Sequence, residues 1–96
     1  MNSYDLGNYY LYEEENFDEA IKCFEKSIQS QDGGYKELAE IYLNIKQENV
    51  DLGLYYLNRA MLIEGIDAYY VALRYYKRIG NQEMVDELEE TIKKYA

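Results

Sequence analysis

Apolar residues recur every three or four positions along most of this chain, which is the spacing of an amphipathic helix. The segment 15–28, ENFDEAIKCFEKSI, shows the pattern clearly, because Ala20, Phe24 and Ile28 form one stripe behind an acidic first turn. Asn16 precedes that stripe. An Asn at a helix start can accept hydrogen bonds from the free backbone N–H groups of the first turn. The segment therefore predicts a helix that begins directly after Asn16.

An Asn followed by an amphipathic run occurs three times, at Asn16, Asn49 and Asn81, with separations of 33 and 32 residues. A second pattern repeats between these runs without a gap, as LGNYY, LAEIY and VALRY. Each copy has Leu or Val, then a small residue, then Tyr three positions later. Because two independent markers share one period, we interpret the chain as three copies of a two-helix unit.

Residues at the same position of each copy are expected to occupy equivalent positions in the core. In the first helices, these are Leu6, Gly7 and Tyr10, then Leu38, Ala39 and Tyr42, then Val71, Ala72 and Tyr75. In the second helices, they are Ala20, Phe24 and Ser27, then Gly53, Leu57 and Ala60. The third copy departs at Glu89 and uses Val85, Leu88 and Ile92 instead. A terminal unit has one face without a neighbour, so a more polar last helix is expected.

Glycines mark three of the expected helix ends. Gly33 and Gly65 follow the second helices of the first two units, and Gly80 follows the first helix of the third. At each we expect the left-handed residue that ends many helices. The loops inside the first two units are longer and lack Gly. The pattern predicts an all-α fold of six helices, at about 3–13, 17–30, 35–46, 50–63, 67–79 and 82–95.

The length of 96 residues predicts a single domain, 1–96, with units of about 1–31, 32–64 and 65–96. Stacked in order, three antiparallel hairpins would form an α-solenoid whose last hairpin is divergent and capping. Thirteen of the fifteen aromatic residues are Tyr. Tyr buries a ring and keeps a hydroxyl that needs a partner, so these residues suit half-buried faces.

The net charge is −9, and the acids concentrate toward the start of the chain. The first unit carries seven acids and two bases (−5), the second six and three (−3), and the third six and five (−1). Phosphates would be repelled, which disfavours nucleic acid and anionic membranes as partners. A basic protein remains a suitable partner, although an acidic surface also keeps a small domain dissolved.

The residue inventory argues against catalysis. There is no His to serve as a general base or metal ligand, and no glycine-rich loop that would bind phosphate. The one acidic run, Glu13, Glu14 and Glu15, lacks the alternating oxygen ligands of a calcium loop. We therefore expect no catalytic residue, no metal and no cofactor, and we expect the chain not to be an enzyme.

Cys23 stands alone, so no internal disulfide can form, and its place beside an apolar stripe predicts a small buried side chain. No basic residues lead into an apolar segment at the start of the chain, and no apolar run approaches the ~20 residues of a membrane helix. These features predict a cytoplasmic protein without a membrane-spanning segment.

The period and its motifs resemble the tetratricopeptide repeat. FDEAIKCFEKSI is similar to that family's second helix, with Ser27 in place of the usual Ala, and YKELAEIY is similar to its first helix. The resemblance covers nearly the whole chain. Two features differ from the family pattern: the unit is shorter than 34 residues, and there is no Pro. The resemblance implies a right-handed superhelix whose first helices line a concave face that binds peptides or partner helices.

Carried onto this chain, that resemblance implies twelve residues on the concave face. They are Tyr4, Asn8, Leu11, Tyr12, Lys36, Glu40, Leu43, Asn44, Tyr69, Leu73, Tyr76 and Lys77. Such a mixture could pack an apolar strip and hydrogen-bond a peptide backbone. The expected function is a non-enzymatic scaffold for protein–protein interaction, with a protein or peptide as the partner.

Two further expectations follow from charge and from the open ends of a short stack. Glu13, Glu14 and Glu15 could instead fill the basic, nucleic-acid-binding cleft of another protein, so that the chain would act as a small acidic inhibitor. The first hairpin, with Tyr9 or Tyr12, could also be a self-association face at one end of the stack, which would give a homodimer.

Overall fold

The computed structural model describes residues 1–95, which form six α-helices and no β-strand. The helices are α1 (Ser3–Tyr12), α2 (Phe17–Gln29), α3 (Tyr35–Glu40), α4 (Val50–Ile63), α5 (Ile66–Ile79) and α6 (Gln82–Tyr95). α3 continues directly as a π-helical segment, Ile41–Ile45. The predicted all-α class and its six helices are confirmed. Ala96, the last residue of the predicted third unit, lies outside the described residues.

Consecutive helices pack as pairs: α1 on α2, α3 on α4, and α5 on α6. In the second pair, Gly53 near the start of α4 lies against Leu43 at the end of the α3 continuation. Glu64, just past the other end of α4, hydrogen-bonds the start of α3. The two helices therefore run antiparallel. Contacts between successive pairs join α2 to α3, α4 to α5, and α3 to α5.

Burial follows the predicted repeat. In the first helices, the apolar and small positions of units two and three are buried, and Tyr42 and Tyr75 are both 7% exposed. Leu6, which the repeat also assigns to the core, is only half-buried. In the second helices, the predicted positions that are buried are Ala20, Phe24 and Ser27, then Gly53, Leu57 and Ala60, then Val85 and Leu88, whereas Ile92 is only half-buried.

Two small residues let the paired helices approach closely. A Cβ placed on Gly7 would lie 2.7 Å from Cε1 of Phe24, and one on Gly53 would lie 2.7 Å from Cδ2 of Leu43. Both distances are shorter than a real carbon–carbon contact. The core consists of two clusters, and the ring of Tyr56 packs against both of them. One cluster spans the first and second pairs and the other spans the second and third pairs, so Tyr56 connects the two.

The capping role predicted for Asn is confirmed at two of three positions. Asn16 accepts a 3.2 Å hydrogen bond from the N–H of Glu19, and Asn81 accepts one of 3.1 Å from the N–H of Met84. Asn49 makes no such bond, so that prediction is wrong. Its backbone is left-handed (φ 52°), whereas a capping side chain reaches the first-turn N–H groups from extended backbone.

Helix ends also differ from the prediction in two places. The left-handed residue that ends α2 is Gln31 (φ 59°), two residues before Gly33, and the N–H of Asp32 closes that turn on the carbonyl of Ser27 at 2.9 Å. The predicted helix 35–46 changes to a π-helix halfway. There the N–H of Lys46 bonds the carbonyl of Ile41, five residues back, at 2.7 Å. Gly80 ends α5 in the left-handed conformation, as predicted.

Candidate binding groove

A groove of about 330 Å³ lies where α1, α3 and α5 come together. All three are first helices of their pairs, so the groove is on the face that the sequence singles out. Eight residues line it: Tyr12, Lys36, Glu37, Glu40, Asp67, Tyr70, Val71 and Arg74. The lining combines three carboxylates with two bases and two tyrosines.

One end of the groove is fixed by a chain of polar contacts through Glu37. The Tyr4 hydroxyl of α1 donates a 2.5 Å hydrogen bond to Glu37, which is only 5% exposed. Lys36 Nζ lies 3.8 Å from Glu37 and 3.8 Å from Asp67 of α5. Burial, and then the hydrogen bond to Glu37, raise the pKa of Tyr4 to about 12. Tyr4 therefore stays protonated and able to donate at physiological pH.

The other end is fixed by a cross-helix ion pair. Arg74 of α5 contacts Glu40 of α3 at 2.9 Å. Glu40 also accepts a 2.5 Å hydrogen bond from the Asn44 amide, which in turn donates to the carbonyl of Val71 at 3.3 Å. Arg78 donates to the carbonyl of Leu43 at 2.5 Å. These bonds fix α5 against α3, so the groove between them has a defined width.

The rim of the groove carries two tyrosines that remain available. Tyr12 of α1 is 69% exposed, and Tyr70 of α5 is 44% exposed. Neither hydroxyl makes a side-chain hydrogen bond to the rest of the described chain. Asp67 is also exposed, with 73% of its side chain accessible, and its ion-pair contact in the described chain is with Lys36 at 3.8 Å. An incoming segment would therefore meet two aromatic rings and a solvated carboxylate.

The twelve predicted residues divide into four groups. Tyr12, Lys36 and Glu40 line the groove. Tyr4 and Asn44 lie beside it and hydrogen-bond its walls, while Asn8 donates to the carbonyl of Tyr4 at 3.3 Å. Leu11 and Leu43 are buried in the core, so a partner could not contact them without unfolding the pair. Four residues of α5 lie elsewhere: Tyr69, Leu73, Tyr76 and Lys77.

The α5 residues are displaced for a geometric reason. Val71 and Arg74 are on the side of α5 that meets α3. At 100° per residue, Tyr69 and Leu73 each lie about 160° around the helix from Val71. These two residues and Tyr76 pack against the core cluster that spans the second and third pairs, and burial raises the pKa of Tyr76. Lys77 lies 3.9 Å from Glu89 of α6.

Five groove residues were not among the twelve predicted ones. They are Glu37, Asp67, Tyr70, Arg74 and Val71, the last of which the repeat assigns to the core. The sequence did contain a signal for one pair of residues in the groove. Glu40 and Arg74 have opposite charges and are 34 residues apart, close to one repeat length. Opposite charges at that spacing on two first helices indicate neighbouring positions in adjacent pairs. The exposed position of Tyr70 has no comparable signal, because Tyr occurs on every face of these helices.

The acidic residues proposed for the alternative function lie outside the groove. Glu13, Glu14 and Glu15 are all exposed in the loop between α1 and α2. Glu14 accepts a 2.5 Å hydrogen bond from the hydroxyl of Tyr9, which raises the pKa of that hydroxyl. On the same side of the molecule, Lys46 lies 3.0 Å from Asp18. The loop therefore presents a separate, acidic surface.

Other chemistry is limited in the described part of the chain. Within residues 1–95, no three His, Cys, Asp or Glu side chains come together in a way that could hold a metal ion. Cys23 is buried, as predicted, and its burial raises the pKa of the thiol. None of the helices in this range has both the length and the apolar character needed to cross a bilayer.

Comparison with known proteins found no match for this chain. No protein-family model matches the chain, and neither the curated proteins nor the solved structures give a match. The likeness to the tetratricopeptide repeat stays a prediction from the sequence.

Proposed function

We propose that this chain is a non-enzymatic interaction module of the tetratricopeptide type, in which stacked helix pairs form a right-handed superhelix. The groove between α1, α3 and α5 would bind an extended or helical segment of a protein partner. One observation carries the proposal: the groove lies on the first helices, and its rim has two exposed tyrosines, Tyr12 and Tyr70. Exposed Tyr is enriched at protein interfaces.

The charges of the groove favour a partner segment with a basic residue. Its lining has three carboxylates and two bases, hence one excess negative charge (2 − 3 = −1), in a chain of net charge −9. Glu40 is already paired with Arg74, and Glu37 is buried beneath Tyr4. Asp67 is the exposed acid at the rim. A Lys or Arg of the partner would pair with Asp67 while its stem packs on Tyr70.

Peptide display against the immobilised protein tests this proposal. Selected peptides should contain a basic residue and should bind at least ~10-fold more weakly to Y70A and D67N, because hot-spot tyrosines and paired charges contribute on this scale. Y95A is the matched control, since Tyr95 is 71% exposed at the far end of α6 and does not line the groove. Equal loss of binding in Y70A and Y95A, or no loss in either, would contradict the proposal.

The acidic-inhibitor function rests on a different observation, the presence of three exposed carboxylates, Glu13, Glu14 and Glu15, in one loop. The two functions differ in how strongly binding should depend on salt. A partner held by the acidic loop should be lost as ionic strength rises and when these three residues become Gln. A partner held by the groove should tolerate salt better and should be lost in Y70A.

A further inference from the structure

A pocket of about 400 Å³ lies between α2 and α4, the second helices of the first two pairs. It shares no residue with the groove between α1, α3 and α5. Its volume falls in the range of about 300–1,000 Å³ that is usual for small-molecule sites. Six residues line it: Glu25, Ile28, Gln29, Tyr35, Tyr55 and Tyr56.

Three of the six lining residues are tyrosines, and the planes of their rings point in different directions. The centroids of the Tyr35 and Tyr56 rings lie 6.1 Å apart, with 46° between the ring planes. Those of Tyr55 and Tyr56 lie 5.5 Å apart, with 62° between the planes. Tyr55 is 54% exposed, so its ring is accessible from outside. A ligand in this pocket would therefore meet aromatic surface from more than one direction.

One of these rings already binds a cation of the same chain. The guanidinium carbon of Arg59 lies 5.7 Å from the centroid of the Tyr35 ring, which is the distance of a cation–π contact. Tyr35 lines two neighbouring pockets, and Arg59 lines only the other one. Arg59 thus shows that a ring of this group attracts a cation, and it leaves the pocket between α2 and α4 without a positive charge in its lining.

The one charged residue that lines this pocket is Glu25. Its side chain is exposed and forms no ion pair within residues 1–95. Burial, and then the charge of Glu25, raise the pKa of Tyr56, whose ring contacts both of the other two. The faces of aromatic rings carry partial negative charge. Rings and carboxylate together therefore favour a positively charged ligand.

The chemistry of the lining also indicates which kind of cation fits. A plain ammonium group has three N–H donors and is strongly hydrated, so its burial requires several acceptor oxygens. Here one carboxylate is available, and half of the lining residues present rings. A quaternary methylammonium group has no N–H donor. Its methyl groups pack on ring faces, which attract the positive charge that they carry.

We propose that the pocket between α2 and α4 binds a quaternary methylammonium group against the rings of Tyr35, Tyr55 and Tyr56, with Glu25 as the counter-ion. Two kinds of molecule carry this group. One is a protein with a trimethylated lysine, and the other is a small free cation of the choline type. The head group is the same in both, and the experiments below separate the two sources.

A comparison of choline with its neutral isostere, in which a carbon atom replaces the nitrogen, tests the need for charge. Both are titrated at constant ionic strength into ¹⁵N-labelled protein, and the amides of α2 and α4 report binding. We expect choline to bind at least ~10-fold more tightly, because the two molecules have the same shape and only choline is attracted to the rings and to Glu25. Equal binding, or no binding of choline, would overturn the proposal.

Substitutions of Tyr55 test the role of the rings. Y55L should weaken choline binding at least ~10-fold, whereas Y55F should retain it, because the ring face and not the hydroxyl contacts the cation. E25Q should weaken binding about 3-fold, as expected for an exposed charge pair. Y95L is the matched control, since Tyr95 is exposed on α6 and does not line the pocket. Binding that survives both Y55L and E25Q, or equal losses in Y55L and Y55F, would contradict the assignment.

A blocked tripeptide, Gly-Lys-Gly, identifies the source of the cation when it is compared with and without trimethylation of its Lys. The trimethylated form should bind at least ~10-fold more tightly than the unmodified form. If it also binds more tightly than choline, the ligand is a modified protein; if choline binds as tightly or better, the ligand is a free cation. Preference for the unmodified peptide would overturn the assignment of a methylated ammonium.

Discussion

The hydroxyl of Tyr4 donates a 2.5 Å hydrogen bond to the carboxylate of Glu37, 33 residues away and in the next helix pair. Glu37 is almost fully buried, and its only ion-pair contact within the described chain is Lys36 at 3.8 Å. The Tyr4 bond therefore satisfies a buried charge and joins α1 to α3. The Arg74–Glu40 ion pair joins α3 to α5 in a similar way, at 2.9 Å.

Removal of the Tyr4 hydroxyl should destabilise the fold. We expect Y4F to lower the free energy of unfolding by about 1–2 kcal/mol, because the buried Glu37 carboxylate loses the side-chain hydrogen bond that it accepts from Tyr4. Urea denaturation at neutral pH measures the change. Y12F is the control, since Tyr12 is exposed and its hydroxyl makes no side-chain hydrogen bond in the described chain; its stability should match that of the wild type. Equal effects of the two variants would contradict this role of Tyr4.

The same residue predicts a decline of stability at alkaline pH. Burial and the bond to Glu37 raise the pKa of Tyr4 from 10.0 to about 12 in the folded state. The folded state therefore holds this proton more tightly than the unfolded chain, so the stabilisation is complete below pH ~10 and is lost as pH rises toward ~12. Burial also raises the pKa of Tyr42, Tyr56 and Tyr76, which adds to the decline.

Urea denaturation at several pH values between ~9 and ~12 measures that slope. The wild type should lose stability across this range, and Y4F should lose less, because one of the contributing protons is gone. Identical slopes would show that Tyr4 titrates alike in the folded and unfolded states.

Glu64 should stabilise the start of α3. Its carboxylate accepts hydrogen bonds from the N–H groups of Gly34, Tyr35 and Lys36, at 3.0, 3.2 and 2.8 Å. These N–H groups have no partner within the helix. We expect E64A to cost about 1–2 kcal/mol and E64Q to cost less, because the amide keeps one acceptor oxygen. Thermal unfolding compares them with E90A on the exposed face of α6, which should change little.

Close packing at Gly53 predicts an unfavourable Ala substitution within a helix. Ala would gain about 1 kcal/mol in helix propensity. Its Cβ, however, would lie 2.7 Å from Leu43 Cδ2 and 3.1 Å from Tyr42 Cβ, and overpacking of this kind costs about 1–3 kcal/mol. Tyr42 Cβ is next to the backbone and has little room to move, so we expect a net loss of stability.

N58A is the matched control for that substitution, because Asn58 is exposed on the same helix and Ala there meets no such contact. It should be as stable as the wild type or slightly more stable. A stabilised G53A would show that α3 and α4 can separate more easily than the structure indicates.

The helices were predictable because the period of the apolar residues, the capping Asn residues and the positions of the small residues all indicate the same elements. Phe24 and Leu57 occupy equivalent buried positions, and the helices begin and end close to the predicted residues. Three local features were not predictable. Asn49 and Gln31 adopt a left-handed backbone, although Gly33 was the expected left-handed residue at the end of α2. After Glu40, α3 continues as a π-helix. Hydrophobic period alone does not distinguish an α-helical turn from a π-helical one.

The groove was only partly predictable. Lys36 and Glu40 lie in the groove because they are on the side of α3 that meets α5. The equivalent positions in α5, Tyr69 and Leu73, lie about 160° around the helix from Val71, on the side away from α3. Repeat register identifies equivalent residues, but the function of a position depends on which neighbour is present. That Asp67 and Tyr70 lie in the groove could be seen only in the structure.

The most direct test of the proposed function is amide chemical-shift mapping of ¹⁵N-labelled protein during titration with a display-selected peptide. We predict that the largest perturbations fall on Tyr12, Lys36, Asp67 and Tyr70, and that they disappear in Y70A but persist in Y95A. Perturbations confined to the loop at 13–15, or to α4, with the groove amides unchanged, would contradict the assignment of the groove as the partner-binding surface.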